Sequence, residues 1–159
     1  MANLKYCIGG DDVENARFSK YVTSGKYGQV DNKTVLDLSD DAAHVILGGD
    51  WRMPTETEFR ELIDNCVWTW IYEKGRHGYE VKSKSKGTSI FLPAAGWHDD
   101  NANVTQNECY YWSNSLDKSV SSEAVSLYGC APSMGGNDDY HGLTATRRCV
   151  GFSVRPVTE

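Results

Sequence analysis

The sequence predicts an α+β domain in which helix comes first and short antiparallel strands, separated by long loops, follow. Three observations predict it. Phe59, Leu62, Ile63 and Cys66 recur at helical spacing, so one apolar face follows Thr55. From Val67 onward the period changes to two, with aromatic and β-branched residues in Val67 to Tyr72. Two stretches, Gly96 to Glu108 and Gly129 to Arg148, follow neither period and read as loops long enough to carry function.

The first third is polar and turn-rich, with Gly9-Gly10 and the segment Ser24 to Lys33. Asp40 to Val45 is expected as a short helix, stopped by Gly48-Gly49. The clearest helix is expected over Thr55 to Asn65. Thr55 is placed to cap it, Glu58 completes a capping box, and Glu56 sits in the positive first turn. After the strand Val67 to Tyr72, Gly75 to Gly78 reads as a turn. Tyr79 to Ser83, Ser89 to Leu92, Tyr110 to Ser113, Ala124 to Tyr128 and Phe152 to Arg155 are the expected strands that follow.

A chain of 159 residues is the size of one domain and buries a core without needing a staple. Residues 1–20 are set apart as an N-terminal extension. The formal charge of −6 argues against nucleic acid, because phosphate binding needs a basic patch. Lys82, Lys84 and Lys86 alternate with Ser and read as a solvated face. No apolar run is long enough for membrane insertion. Met1 to Gly10 lacks the apolar stretch of a secretory signal. Two settings stay open: a cell-surface or secreted protein whose leader was removed, or a phage-associated or cytoplasmic one.

Cys7, Cys66, Cys109, Cys130 and Cys149 make an odd set without a CxxC, which supports neither a zinc cage nor a thioredoxin motif. Cys66 reads as a buried inert thiol on the helix face, and a Cys109–Cys130 disulfide is one open pairing. Trp51, Trp68, Trp70 and Trp112 are expected in the core. Trp97 and His98 instead open a polar loop and are candidate ligand contacts. His44 reads as a helix residue and His141 as a loop contact; no nucleophile-elbow motif accompanies the histidines. Arg155 is expected to pair with a buried carboxylate such as Asp50. Asp99, Asn101 and Asn103 match the opening of a calcium loop, but Val104 replaces its glycine and Tyr110 its bidentate glutamate. That excludes an EF-hand and leaves an isolated calcium site open; no other cofactor is implied.

Four blocks then occur in order: Gly48-Gly49-Asp50-Trp51-Arg52-Met53-Pro54-Thr55, Ser89-Ile90-Phe91-Leu92-Pro93-Ala94-Ala95-Gly96, Tyr111-Trp112-Ser113-Asn114-Ser115 and Gly151-Phe152-Ser153-Val154-Arg155-Pro156-Val157. Together they resemble the bacterial major paralogous domain group first named from Fibrobacter, with many examples in gut Bacteroidales. They are also similar to lectin-fold relatives of formylglycine-generating enzymes. The resemblance covers roughly residues 21–157. It implies a C-type-lectin-like fold with a small twisted antiparallel sheet, one or two helices and long loops.

Some members of that group are variable proteins of diversity-generating retroelements, in which a C-terminal segment is rewritten at adenines. The resemblance thus implies a ligand-binding display domain, with residues 129–150 as the candidate variable region. Rewriting the adenines of an AAY codon never yields Trp, Met, Lys, Glu or Gln. Within Gly129 to Val150 only Met134 is outside the accessible set, where ordinary composition would place roughly four such residues.

On this reading helix and sheet form a rigid frame. Trp97 to Asn101, Asp117 to Val120 and Gly129 to Val150 form the recognition face, for a protein or glycan on a surface. Its side chains are Trp97 and His98 from the first segment and Asp117 and Ser119 from the second. Tyr128 lies beside the third, which contributes Asp138, Asp139, Tyr140, His141, Arg147, Cys149 and Val150. The sugar-binding motifs of calcium-dependent lectins are absent, since Trp112 is followed by Ser113-Asn114.

The alternative reading is a non-diversified structural or adhesion domain of a surface protein. A thiol or metal oxidase is disfavoured, because Cys130 and Cys149 lie 19 positions apart where the enzyme relatives keep a close pair. The expectation is a binding module and not an enzyme.

Overall fold

The computed structural model describes residues 7–9, 16–98, 107–118, 123–130, 141–148 and 150–158. It is an α+β arrangement built on two three-stranded antiparallel sheets rather than the one small sheet expected.

Thr55 behaves as its sequence context requires. Its hydroxyl accepts from the Glu58 amide at 3.1 Å, and the Glu58 carboxylate accepts from the Thr55 amide at 2.8 Å, so the capping box starts helix α2 (Glu56–Asn65). The shorter α1 (Ala42–Leu47) starts two residues later than expected. Leu38–Asp40 form a separate 3-10 turn, and Asp41 caps α1 by accepting from the Ala43 and His44 amides. Gly48, at φ 70°, ends it in a conformation that costs a side-chain-bearing residue.

The first sheet joins β3 (Cys66–Glu73), β4 (Arg76–Ser83) and β5 (Ser89–Pro93) in that order. The expected turn over Gly75 to Gly78 contracts to Lys74-Gly75, and Gly78 enters the strand. A Cβ on Gly78 would lie 2.3 Å from the Leu92 carbonyl oxygen, so only glycine permits this approach of β4 to β5. Trp68 faces Val81 and Trp70 faces Tyr79 across β3 and β4, giving the sheet an aromatic inner face.

The second sheet joins β6 (Glu108–Leu116), β7 (Glu123–Cys130) and β8 (His141–Arg147). Here the expectation is corrected. The stretch Gly129 to Arg148 is not one loop: Gly129 and Cys130 complete β7, and His141–Arg147 form a strand paired along its length with β7. Phe152 to Arg155 is not a ladder strand. The C-terminal segment is instead held by single bridges, Ser153 to Tyr111, Gly151 to His98 and Val157 to Arg52. A small pair, β1 (Cys7–Gly9) with β2 (Arg17–Phe18), lies outside both sheets.

Strand β6 divides the core, because its successive side chains point to opposite sides. Cys109 and Tyr111 join Phe59, Trp68, Tyr79, Val81 and Leu92 in a cluster between α2 and the first sheet. Trp112 and Leu116 join Tyr21, Leu36, Ala43, Met53 and Phe152 in a second cluster. Of the stretch set apart as residues 1–20, Ala16 and Phe18 are buried in a third, with Val22 and Tyr27. No helix among the described residues is long and apolar enough to cross a membrane.

Candidate functional site

Arg148 is the residue that organises the region expected to carry function, and periodicity gave no sign of it. It follows β8 directly and is 1% exposed. Its guanidinium donates to the carbonyl oxygens of Tyr21 at 3.0 Å and Lys20 at 3.3 Å, and lies 4.2 Å from the centre of the Phe18 ring. An isolated charge is expensive to bury, and these partners offset much of that cost. The sites beside it are half built already. Tyr21 donates its hydroxyl to Asp40 at 2.6 Å, Lys20 pairs with Asp40 and Asp37, and the Tyr21 hydroxyl is pushed up to about 12 by burial and by Asp40. The neighbouring carboxylates hold the Lys20 ammonium well above its ordinary range, Asp37 more than Asp40.

The strand ahead of Arg148 changes character along its length. His141 stacks on Trp68, with ring centroids 4.5 Å apart, and Leu143 packs against the first core cluster. Two and four residues further on, on the same face, Ala145 and Arg147 are exposed. Beside them Leu143, Thr144 and Ala145 line a groove of about 340 Å3. Glu56 and Arg60 of α2 and Leu116, Asp117 and Lys118 after β6 complete it. Arg60 and Glu56 form an ion pair at 2.6 Å, so acidic and basic side chains alternate around its mouth.

The predicted recognition residues fall into three groups. Asp117 and Arg147 lie at one end of the second sheet: the Asp117 amide donates to the Glu123 carbonyl at 3.1 Å, and Glu123 pairs with Arg147. Trp97, His98 and Val150 form another group. His98 and Gly151 exchange both backbone hydrogen bonds, at 2.9 and 2.7 Å, while Trp97 and Val150 are half-buried against the second core cluster. His141 belongs with the first core cluster through Trp68, and the backbone of Tyr128 pairs with Gly142 beside it. Ser119, Asp138, Asp139, Tyr140 and Cys149 lie outside the described residues, as does the calcium-loop stretch Asp99, Asn101 and Asn103. Among the described residues no group of three His, Cys, Asp or Glu side chains is placed to hold a metal.

Three expectations about single residues change. Trp51 is 40% exposed, not core, while Trp68 and Trp112 are buried and Trp70 half-buried. Trp51 stands outside because the chain turns at Gly48-Gly49 and only Met53, two residues on, enters the core. Arg155 and Asp50 are both exposed and make no ion pair; the buried arginine is Arg148. Cys66 opens β3 instead of closing the helix face, though it remains a half-buried free thiol against the core. Cys109 is buried with Gly129 as its register partner, and its Sγ donates to the Leu92 carbonyl at 3.6 Å; the Cys130 side chain, the other half of the open pairing, lies outside the described ones.

No protein-family model, curated protein or solved structure matches the chain.

Proposed function

We propose that the protein is a ligand-binding display domain of C-type-lectin-like fold, a variable protein of the diversity-generating retroelement kind, recognising a protein or glycan on a surface. The observation that carries this reading is the split character of β8. Leu143 and Arg148 anchor the strand, while Ala145 and Arg147 between them face solvent beside the groove that holds Asp117. A strand pinned at both ends presents the side chains in between at fixed spacing, whatever their identity. Little ordering cost is then left for binding. The mixed charges of Glu56, Arg60, Asp117 and Lys118 around the groove supply polar contacts without committing it to one sign.

The experiment is a surface-displayed library randomised at Thr144, Ala145 and Arg147 and across 138–140. Most members should fold, as read by display level and thermal challenge, and selection against a panel of proteins and glycans should yield binders. A library in which most members unfold, or from which no target draws a binder, would sink the proposal. Sequencing the gene from several isolates checks diversification separately: substitutions should concentrate in 129–150 and spare Leu143 and Arg148.

A second reading, a non-diversified adhesion domain, draws on the same strand. Leu143, Arg148 and Val150 all lie within 129–150 and all pack inward. Under that reading the isolates would show no excess of substitutions in the segment.

A further inference from the structure

On a different part of the surface, four separate segments converge on a groove of about 540 Å3. It lies within the roughly 300–1,000 Å3 range of ligand pockets. The end of α1 supplies Leu47, the turn after it Trp51, the start of β4 Arg76, and the C-terminal segment Arg155 and Pro156. None of these residues belongs to the recognition face described above.

Two features mark the groove as a surface that takes a partner. The first is apolar. Leu47 is 52% and Trp51 40% exposed, and the adjoining α1 residues Val45 and Ile46 are exposed as well. Exposed large apolar side chains beside a cleft are typical of an interaction site, and Trp is enriched among the residues that dominate such interfaces. The second is charge. Arg76 and Arg155 are both exposed, and among the described residues neither forms an ion pair or hydrogen bond. Two unneutralised guanidinium groups on a chain of net charge −6 set a local basic point against the overall sign. Glu73, the register partner of Arg76, is paired with Lys74 at 3.2 Å, and charges beyond about 8 Å are screened at physiological ionic strength, so a group docked in the groove feels chiefly the two arginines.

The floor is rigid. Tyr111 is buried and donates its hydroxyl to the Pro93 carbonyl at 2.8 Å. Burial pushes that hydroxyl far above its ordinary range, and the nearby Arg155 opposes the shift.

We propose that this groove docks an acidic peptide segment of a partner protein, with carboxylates paired to Arg76 and Arg155 and a neighbouring apolar side chain seated on Leu47 and Trp51. Arg binds carboxylates in a bidentate fork, which fixes the direction of the segment, and the apolar contact supplies burial. Two arginines beside both Leu47 and Trp51 favour a peptide, which carries acidic and apolar side chains in succession, over an acidic sugar, whose ring would use Trp51 alone.

The test is selection of a displayed random heptapeptide library on the full chain, with an oligoglucuronate binding assay run in parallel. Selected peptides should combine Asp or Glu with Leu, Ile or Phe. They should lose roughly tenfold or more in affinity on an Arg76→Gln/Arg155→Gln variant and on Trp51→Ala. Both arginines are exposed, so the double variant should melt within a few degrees of the parent. Should it not, the affinity of the parent for the selected peptide must fall steeply with added salt. The proposal is overturned by a selection without an acidic and apolar consensus, by peptides that bind the double variant equally well, or by arginine-dependent binding of oligoglucuronate alone.

Discussion

The guanidinium of Arg148 lies over the Phe18 ring at 4.2 Å, joining the end of the last ladder strand to the small N-terminal cluster 130 positions earlier in the chain. The interactions of Arg148 with the segment Phe18 to Tyr21 close a long loop and tie together parts of the chain far apart in sequence. Its neighbour Arg147 is exposed. Adjacent arginines therefore answer to different constraints, one to packing and one to solvent.

Arg148→Met keeps most of the volume and removes the donors to Tyr21 and Lys20. It should cost about 2–4 kcal/mol, because one buried and one part-buried carbonyl oxygen lose their partner and the cation over Phe18 is gone. Arg147→Met should change stability by less than about 0.5 kcal/mol. Urea unfolding of both variants decides it; equal effects would show that Arg148 is not the anchor.

Glu58 gives a pH signature. Its hydrogen bonds from Arg52, at 2.7 and 2.8 Å, hold its carboxyl down to about 2 against an ordinary 4.5, helped by the Thr55 amide and hydroxyl. A depressed acid stabilises the fold above its unfolded pKa, and that contribution is lost as pH falls through the folded value. Stability should therefore decline between pH about 5 and about 2. The size is about 1 kcal/mol once solvent screening of this part-exposed pair is allowed for. Glu58→Gln should flatten that part of a pH-dependent unfolding curve, and an unchanged slope would assign it to other carboxylates.

Gly78→Ala places a methyl group against the Leu92 carbonyl and the Phe91 ring. The strands must separate or β4 must shift, at a cost of about 3 kcal/mol. Gly25→Ala, where nothing lies within 4 Å, should stay within about 0.5 kcal/mol. Thermal unfolding of the pair checks the argument, and a Gly78→Ala protein as stable as its parent would refute it.

His141→Ala removes a ring stacked on buried Trp68 and should cost about 1 kcal/mol. Arg147→Ala, six residues further along the same strand, should not. A loss of ligand affinity in His141→Ala is therefore to be compared with its unfolding curve before it is read as a lost contact. A melting temperature equal to the parent's would show that the stacking is unimportant.

Much of the frame follows from local rules. Thr55 and Glu58 sit three apart ahead of an apolar helical stripe, and the capping box forms as that spacing requires. Val67 to Tyr72 alternates with aromatic and β-branched side chains, and β3 covers it. The segment expected to carry recognition is different. His141–Arg147 holds two threonines but also a glycine, an alanine and a single large aliphatic residue, too weak a composition to announce a strand. It is one because β7 offers a full ladder of partners. Phe152 to Arg155 is the converse, a segment with strand composition that finds only one bridge, at Ser153, to the edge of β6. Trp51 read as core and stands exposed, since burial depends on where the chain turns and not on residue type.

What the sequence by itself determined is that the helices precede the two larger sheets, where the main helix starts and which aromatic strands follow it. Those depend on contacts within a few residues, or on composition. Only the tertiary structure decided that Arg148 is buried, that β8 is a strand, and that Arg76 and Arg155 share a groove with Trp51. Each depends on groups far apart in the chain, and no local pattern encodes which distant neighbour will be there.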